Sequence, residues 1–145
     1  MESTGDKNKF LHQIICLAGH EVNDIGDIYI NDLVANPDPT THLVGGDWND
    51  KIYIRKFLGT STQNVYGELS GITDGPEWKD GTSGQAGDAG DFKGQGIACL
   101  YVRLEYDQDV FAEGIPIFTA KVQGKKVLDP RTSTTAWSDN PALCI

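Results

Sequence analysis

Residues 96–107 read GIACLYVRLEYD, and the alternation inside them decides the fold. Ala98, Leu100, Val102, Leu104 and Tyr106 fall on one side of a period-two pattern. Ile97, Cys99 and Tyr101 open the other side, which turns polar at Arg103 and Glu105. Side chains two apart share a face of a strand. The pattern therefore predicts a strand buried along one face throughout, and along the other only for its first half.

Upstream, two stretches alternate in the same way. In IGDIYIND at 25–32, Ile28 and Ile30 oppose Tyr29; in KIYIRKFL at 51–58, Ile52 and Ile54 oppose Tyr53 and Arg55. FLHQIICLA at 10–18 is a dense apolar run. Its adjacent isoleucines favour a strand over a short helix, although periodicity alone does not separate the two. Residues 1–9 are polar and are expected to fray, with Asp6 as a local turn residue. ANPDPTTHLVGGDWND at 35–50 carries two prolines and a Gly-Gly pair and reads as a loop. TSTQNVYGEL at 60–69 offers a short helix capped by Thr60 or Thr62, against which Gly67 counts. Residues 71–96 are glycine-dense, lack apolar periodicity and read as a long insertion loop, with Trp78 and Phe92 as anchors.

Downstream, 107–114 is a connector. IPIFTAKVQGKKVLD at 115–129 predicts a hairpin. Gly124-Lys125 meets the type II′ requirement of glycine at the first central position, which sets Val122 opposite Val127. Pro116 then belongs at a strand start or on an edge. The chain ends TSTTAWSDNPALCI. Ser138, Asp139 and Asn140 are good N-caps and Pro141 suits a first helical position, yet the signal runs out at Ile145. The last five residues are expected to be loosely packed. The whole is a mainly-β chain with four or five main strands, a C-terminal hairpin and a short helix or two.

At 145 residues, the chain is sized for one domain with its own core. Its 17 glycines exceed the usual share of about 7% and favour turns over long helices. A net charge of −9 counts against a nucleic-acid or anionic-membrane surface, both of which need clustered Lys and Arg. No apolar run approaches the roughly 20 residues that span a bilayer. Cys16, Cys99 and Cys144 form no framework or CxxC motif. Each sits in an apolar stretch as a small hydrophobe, consistent with folding in a reducing cytoplasm.

Chemistry-bearing patterns are weak. His12, Cys16 and His20 are spaced by four, which would place them on one helix face as zinc ligands, but Gly19 interrupts that helix and a fourth ligand is missing. GDWND at 46–50 and GDAGD at 87–91 lack the spacing and closing Glu of a calcium loop. GQAGDAGDFKGQG has neither GK[ST] nor the GxGxxG order. GTSTQ and GTSG do not match a nucleophile elbow. No catalytic set, cofactor site or metal site is predicted. Trp48, Trp78 and Trp137 lie in or beside loops and are the candidate contacts for a protein partner, against the plainer role of anchoring those loops.

Four stretches carry a family resemblance when taken in order: FLHQIICLAGHEVNDIGDIYIND, KIYIRKFLGTSTQ, GIACLYVRLEYDQDVFAEGIP and VQGKKVLDPRTSTTAWSDNPALC. Together they resemble a segment of the central tail hub proteins of long-tailed bacteriophages, the host-specificity protein J family of lambda-like phages. The resemblance spans most of residues 7–145 and is strongest at LAGHEV, at GIACLYVRLEYD and at the ending. It implies a single hub-type β-rich domain over 10–145, with its loop insertion at about 71–96. It also implies a structural, non-enzymatic role in tail assembly and host attachment. The implied partners are other tail-tip and tail-tube proteins, and the implied state of the full protein is a homotrimer. The implied location is the virion tail tip, after synthesis in the host cytoplasm. The chain is shorter than such hubs at both ends and richer in Gly and Asp over 73–95, and relatives continue past NPALCI into a helix. Ile145 is thus expected to be a cut end. The alternative is a stand-alone carbohydrate- or protein-binding β domain using the 73–95 loop. A wall-digesting hydrolase is disfavoured by the missing catalytic constellation.

Overall fold

The computed structural model describes residues 2–63 and 94–143. They build ten strands: β1 (Glu2–Thr4), β2 (Phe10–Ala18), β3 (Asp24–Ile30), β4 (Leu33–Val34), β5 (Leu43–Val44), β6 (Ile52–Phe57), β7 (Ala98–Glu105), β8 (Phe118–Gln123), β9 (Val127–Asp129) and β10 (Thr134–Ala136). Among the described residues there is no α-helix, only 3-10 turns at Asp6–Asn8, Gly46–Trp48 and Pro141–Leu143. The strands form a five-stranded sheet in the order β1-β2-β7-β6-β5, a three-stranded sheet β4-β3-β8 and the pair β9-β10. Every pairing is antiparallel. The chain is mainly β, as the alternation predicts.

β7 behaves as its pattern requires. Leu100, Val102 and Leu104 face inward, and Cys99 and Tyr101 on the other face are also fully buried, while Arg103 and Glu105 are not. The inner face joins Ile52 and Ile54 of β6 and Val44 of β5 to Ile25, Ile28 and Ile30 of β3 in one apolar cluster, so the small sheet lies over the large one. Burying an Ile or Leu side chain fully is worth about 1.5–3 kcal/mol.

β3 carries a device that the alternation does not reveal. Its register against β8 slips between Ile25 and Ile28, which face Val122 and Ala120. The bulge lets two isoleucines three apart both point into the core. Asn36 serves the disturbed backbone: its Oδ1 accepts the Ile28 N–H at 2.8 Å, and its Nδ2 donates to Asp27 Oδ1 at 3.1 Å. β3 then turns into β4 through Asn31 and Asp32, with φ of 49° and 66°. Asn and Asp tolerate that left-handed region best among non-glycine residues.

Three expectations need correction. The N-terminal segment does not simply fray: residues 2–4 pair with β2, Ser3 opposite Leu11. Tyr106 continues the inward phase of β7 but is 68% exposed, because its strand ends at Glu105 and the covering sheet does not reach it. The C-terminal hairpin exists, but it is β9-β10, with Leu128 opposite Thr135. The predicted 115–129 hairpin does not form, since β8 pairs with β3 instead, Val122 facing Ile25. Asn23 Nδ2 donates to Gln123 Oε1 at 2.6 Å, and the Asn23 N–H donates to the Gln123 carbonyl at 2.9 Å, holding the end of β8 to β3. Pro116 precedes β8, as a strand-start proline should. The short helix expected over 60–69 falls mainly outside the described residues, as do the body of the glycine-rich loop, its anchors Trp78 and Phe92, and the final two residues.

At the chain's end the capping signal is used, over one turn only. The Asn140 carbonyl accepts the Leu143 N–H at 3.0 Å, and its side-chain Oδ1 accepts the Ala142 N–H at 3.0 Å. In the β9-β10 loop, Arg131 clamps Asp129 through two side-chain hydrogen bonds of 3.0 and 2.7 Å. That clamp, with the Arg131 backbone N–H, holds the Asp129 carboxyl down to about 2. A carboxyl-detected NMR titration should find Asp129 near that value, and Arg131→Ala should return it toward 3.8.

Gly59 marks a close approach between chain segments. Its φ is +77°, and a Cβ there would lie 2.8 Å from the Ala98 nitrogen and the Ile97 carbonyl carbon. Both neighbours are backbone of the segment entering β7, so nothing can move cheaply. Gly59→Ala should cost more than about 2 kcal/mol in urea unfolding. Gly124→Ala, with nothing within 4 Å and no positive φ, should stay within about 1 kcal/mol of wild type.

Candidate functional site

The outer face of the large sheet is a polar and aromatic seam built by register. His12 of β2 lies opposite Arg103 of β7, which lies opposite Tyr53 of β6. The Arg103 guanidinium stands over the Phe10 ring at 5.3 Å and over the Tyr53 ring at 5.0 Å. Tyr53 meets Tyr101 edge-on at 5.9 Å, and His42 edge-on at 5.5 Å. His12 is 5% exposed. Its Nδ1 is 2.8 Å from the Tyr101 hydroxyl, and its Nε2 is 2.7 Å from the Thr4 hydroxyl. A neutral imidazole presents one N–H and one lone pair, and a hydroxyl can answer either. The pair of contacts therefore satisfies the ring in either tautomer and ties β1 to β2 and β7.

Burial lowers the His12 pKa from its ordinary 6.5, and the neighbouring Arg103 charge adds to the effect. At the end of β7, Glu105 takes Lys9 at 3.0 Å and Lys51 at 3.1 Å. Those two ammonium groups hold its carboxyl below the usual range.

The sequence-predicted contact residues separate. Trp48 is half-buried, packs against the main core and lies 6.4 Å from the Phe111 ring. It anchors the loop between β5 and β6. Trp137 follows β10 and is 40% exposed. Trp78 lies outside the described residues. The spaced trio His12, Cys16 and His20 does not converge. β2 is a strand, His12 is engaged by hydroxyls, and His20 Nδ1 is 2.9 Å from the neighbouring Glu21 carbonyl oxygen. Among the described residues, no three His, Cys, Asp or Glu side chains are grouped to hold a metal ion, and no helix is long and apolar enough to cross a membrane.

Two apolar features emerge that motif reading does not find. The first is an open groove of about 290 Å³ lined by Leu11, Leu104, Tyr106, Phe111, Ile115 and Lys9. The second is a set of exposed apolar side chains at one end of the small sheet. Leu33 is 63% exposed, Val34 61% and Ile117 71%. The Asn31 N–H donates to the Ile117 carbonyl at 3.0 Å, and the Ile117 N–H donates back to Asn31 Oδ1 at 3.0 Å. This exchange fixes Ile117 beside the β3-β4 turn. In the sequence Leu33 and Val34 fall between the strand at 25–32 and the loop at 35–50, and Ile117 lies in the expected hairpin; their exposure follows from strand order, which local alternation does not encode.

Comparison with protein-family models, curated proteins and solved structures finds no match.

The seam makes a pH prediction. A histidine with a lowered pKa in the fold takes up its proton more readily when unfolded. Stability should hold above about pH 6.5 and fall as the pH drops below it, until the folded-state pKa is reached. His12→Gln should flatten that slope in urea midpoints measured between about pH 6.5 and 5, ahead of the carboxylate range. An unchanged slope would remove His12 as its source. Tyr101→Phe should cost about 1–2 kcal/mol by stranding an imidazole nitrogen.

Proposed function

We propose that this chain is a structural module of a bacteriophage tail tip, part of a central tail hub that serves tail assembly and host attachment. The observation that carries the reading is the exposed apolar end of the small sheet. Leu33 and Val34 of the short edge strand β4, and Ile117 just before β8, are exposed and uncovered among the described residues. Exposed apolar surface marks interaction sites, and Leu33 and Ile117 flank β3 at the same end of this sheet. Open sheet edges add backbone donors and acceptors for a neighbouring chain. The ordered resemblance of the four sequence stretches supplies the particular assembly. Its partners are copies of itself in a homotrimer and the adjoining tail-tip and tail-tube proteins. Its place is the virion, and its role is structural rather than catalytic.

Peptide mass spectrometry of purified virions should find the chain, and light scattering of the protein in its parent reading frame should return a trimer. Leu33→Lys combined with Ile117→Lys should weaken association at least about tenfold, as loss of a buried apolar contact does, while the thermal midpoint of the 145-residue chain stays near wild type. Virions without the chain, or a strictly monomeric parent protein, would overturn the assignment. Selective retention of one glycan on an array by the isolated chain would favour a carbohydrate-binding domain instead.

A further inference from the structure

Two of the three cysteines are distant in sequence and adjacent in the sheet. Cys16 of β2 lies directly opposite Cys99 of β7. Residues so placed in an antiparallel pair project from the same face. The phase of the ladder sets their spacing. The Tyr106 N–H donates to the Lys9 carbonyl at 2.7 Å, and these two continue the Phe10–Glu105 register by one step. They are therefore a hydrogen-bonded pair, and such pairs recur every second residue. Cys16 and Cys99 fall in the other phase, the non-hydrogen-bonded pairs, where Cα atoms approach to about 4.5 Å and side chains are closest. A disulfide needs Cα atoms about 4.4–6.8 Å apart. The register also slips just after Cys16, between it and Ala18, at a point where a ladder can adjust.

Access to the two thiols is unequal. Cys16 is exposed, while Cys99 is fully buried beside Phe57 and Tyr101. We propose that Cys16 and Cys99 are a cross-strand redox pair, in which Cys16 meets the oxidant and Cys99 resolves the adduct into an intrachain disulfide linking β2 to β7. The oxidant is a small-molecule disulfide. The Cys16 thiolate attacks one of its sulfurs, the reagent's S–S bond breaks, and one thiolate leaves. The Cys99 thiolate then attacks Cys16 Sγ, the mixed disulfide breaks, and the second thiolate leaves. The two cysteines lose two electrons and two protons, and the reagent gains them as two thiols. The bridge would close a loop of roughly 80 residues, a length at which cross-linking restricts the unfolded chain substantially. Its short cross-strand span keeps it reducible. The inference stands apart from the tail-tip reading and survives the loss of it.

The test uses the folded 145-residue chain carrying Cys144→Ser, which removes the third thiol. It is incubated with oxidised glutathione and mapped without reduction. The expected product is a monomer that has lost both titratable thiols and yields one linked peptide containing Cys16 and Cys99. Its thermal midpoint should rise by about 5 °C or more and return on treatment with dithiothreitol. Cys16→Ser, at an exposed position, should abolish the linked peptide without disturbing the fold. A stable glutathione adduct on Cys16 with no bridge, bridging only between chains, or no reaction of the folded protein would each overturn the proposal.

Discussion

Everything described here depends on the position of β7. It is hydrogen-bonded to β2 on one edge and to β6 on the other, and from Ala98 to Val102 it is buried on both faces. A strand so placed has no side on which an error is cheap. A slip of one residue would send Leu100, Val102 and Leu104 to the seam and drive Tyr101 and Arg103 into the apolar layer. The half-polar pattern of the strand excludes that slip, because Arg103 and Glu105 have partners only on the outer face. Arg103 is held between two aromatic rings, and Glu105 between two lysines. The polar end of β7 sets the register, and its apolar inner face supplies much of the stabilisation.

The second layer must fit the first. Three isoleucines of β3 meet the inner face of β7 and β6, and strict alternation would have turned Ile25 away. The bulge at Gly26 and Asp27 resolves this at the cost of ladder hydrogen bonds, and Asn36 restores one of them at the Ile28 N–H. The same requirement explains the fate of β8. β3 is central in its sheet and needs an antiparallel neighbour beyond the two-residue β4. The long-range pairing of Val122 with Ile25 therefore prevails over the local turn that Gly124-Lys125 offers.

This marks the boundary of what the sequence makes legible. The period-two stretches at 51–58 and 96–107 specify their strands because each alternation reports a local surface that is either covered or wet, whereas the apolar run at 10–18, which periodicity leaves open between strand and helix, becomes β2 through its pairing with β7. The choice of neighbour for β8 is not local, so turn chemistry alone misassigns it. The polar seam is hidden for a related reason. His12 looks like a stray polar residue in an apolar run until Thr4 and Tyr101, eight and 89 residues away, arrive at its two nitrogens. Trp48 is ambiguous in sequence for want of Phe111, and Tyr106 because its covering layer ends before it.

The two sheets treat their edges differently, and that asymmetry bears on where a neighbour would attach. The large sheet ends in β1 and β5, three and two residues long, and short edges are poor templates for strand addition. β1 is further pinned by the Thr4–His12 contact, which competes with any exchange of that strand for another. The small sheet has β4, also two residues, on one edge, but its other edge is the six-residue β8. Among the described residues, β8 is paired only with β3. Lys121 is its one charged residue; it lies at the bulge, is largely exposed over the Tyr29 ring, and its Nζ donates to Asp27 at 3.1 Å. The longest open edge and the exposed Ile117, which immediately precedes Phe118, thus coincide at the same end of the small sheet. An incoming strand there could satisfy backbone groups and cover apolar surface in a single step, which neither edge of the large sheet allows.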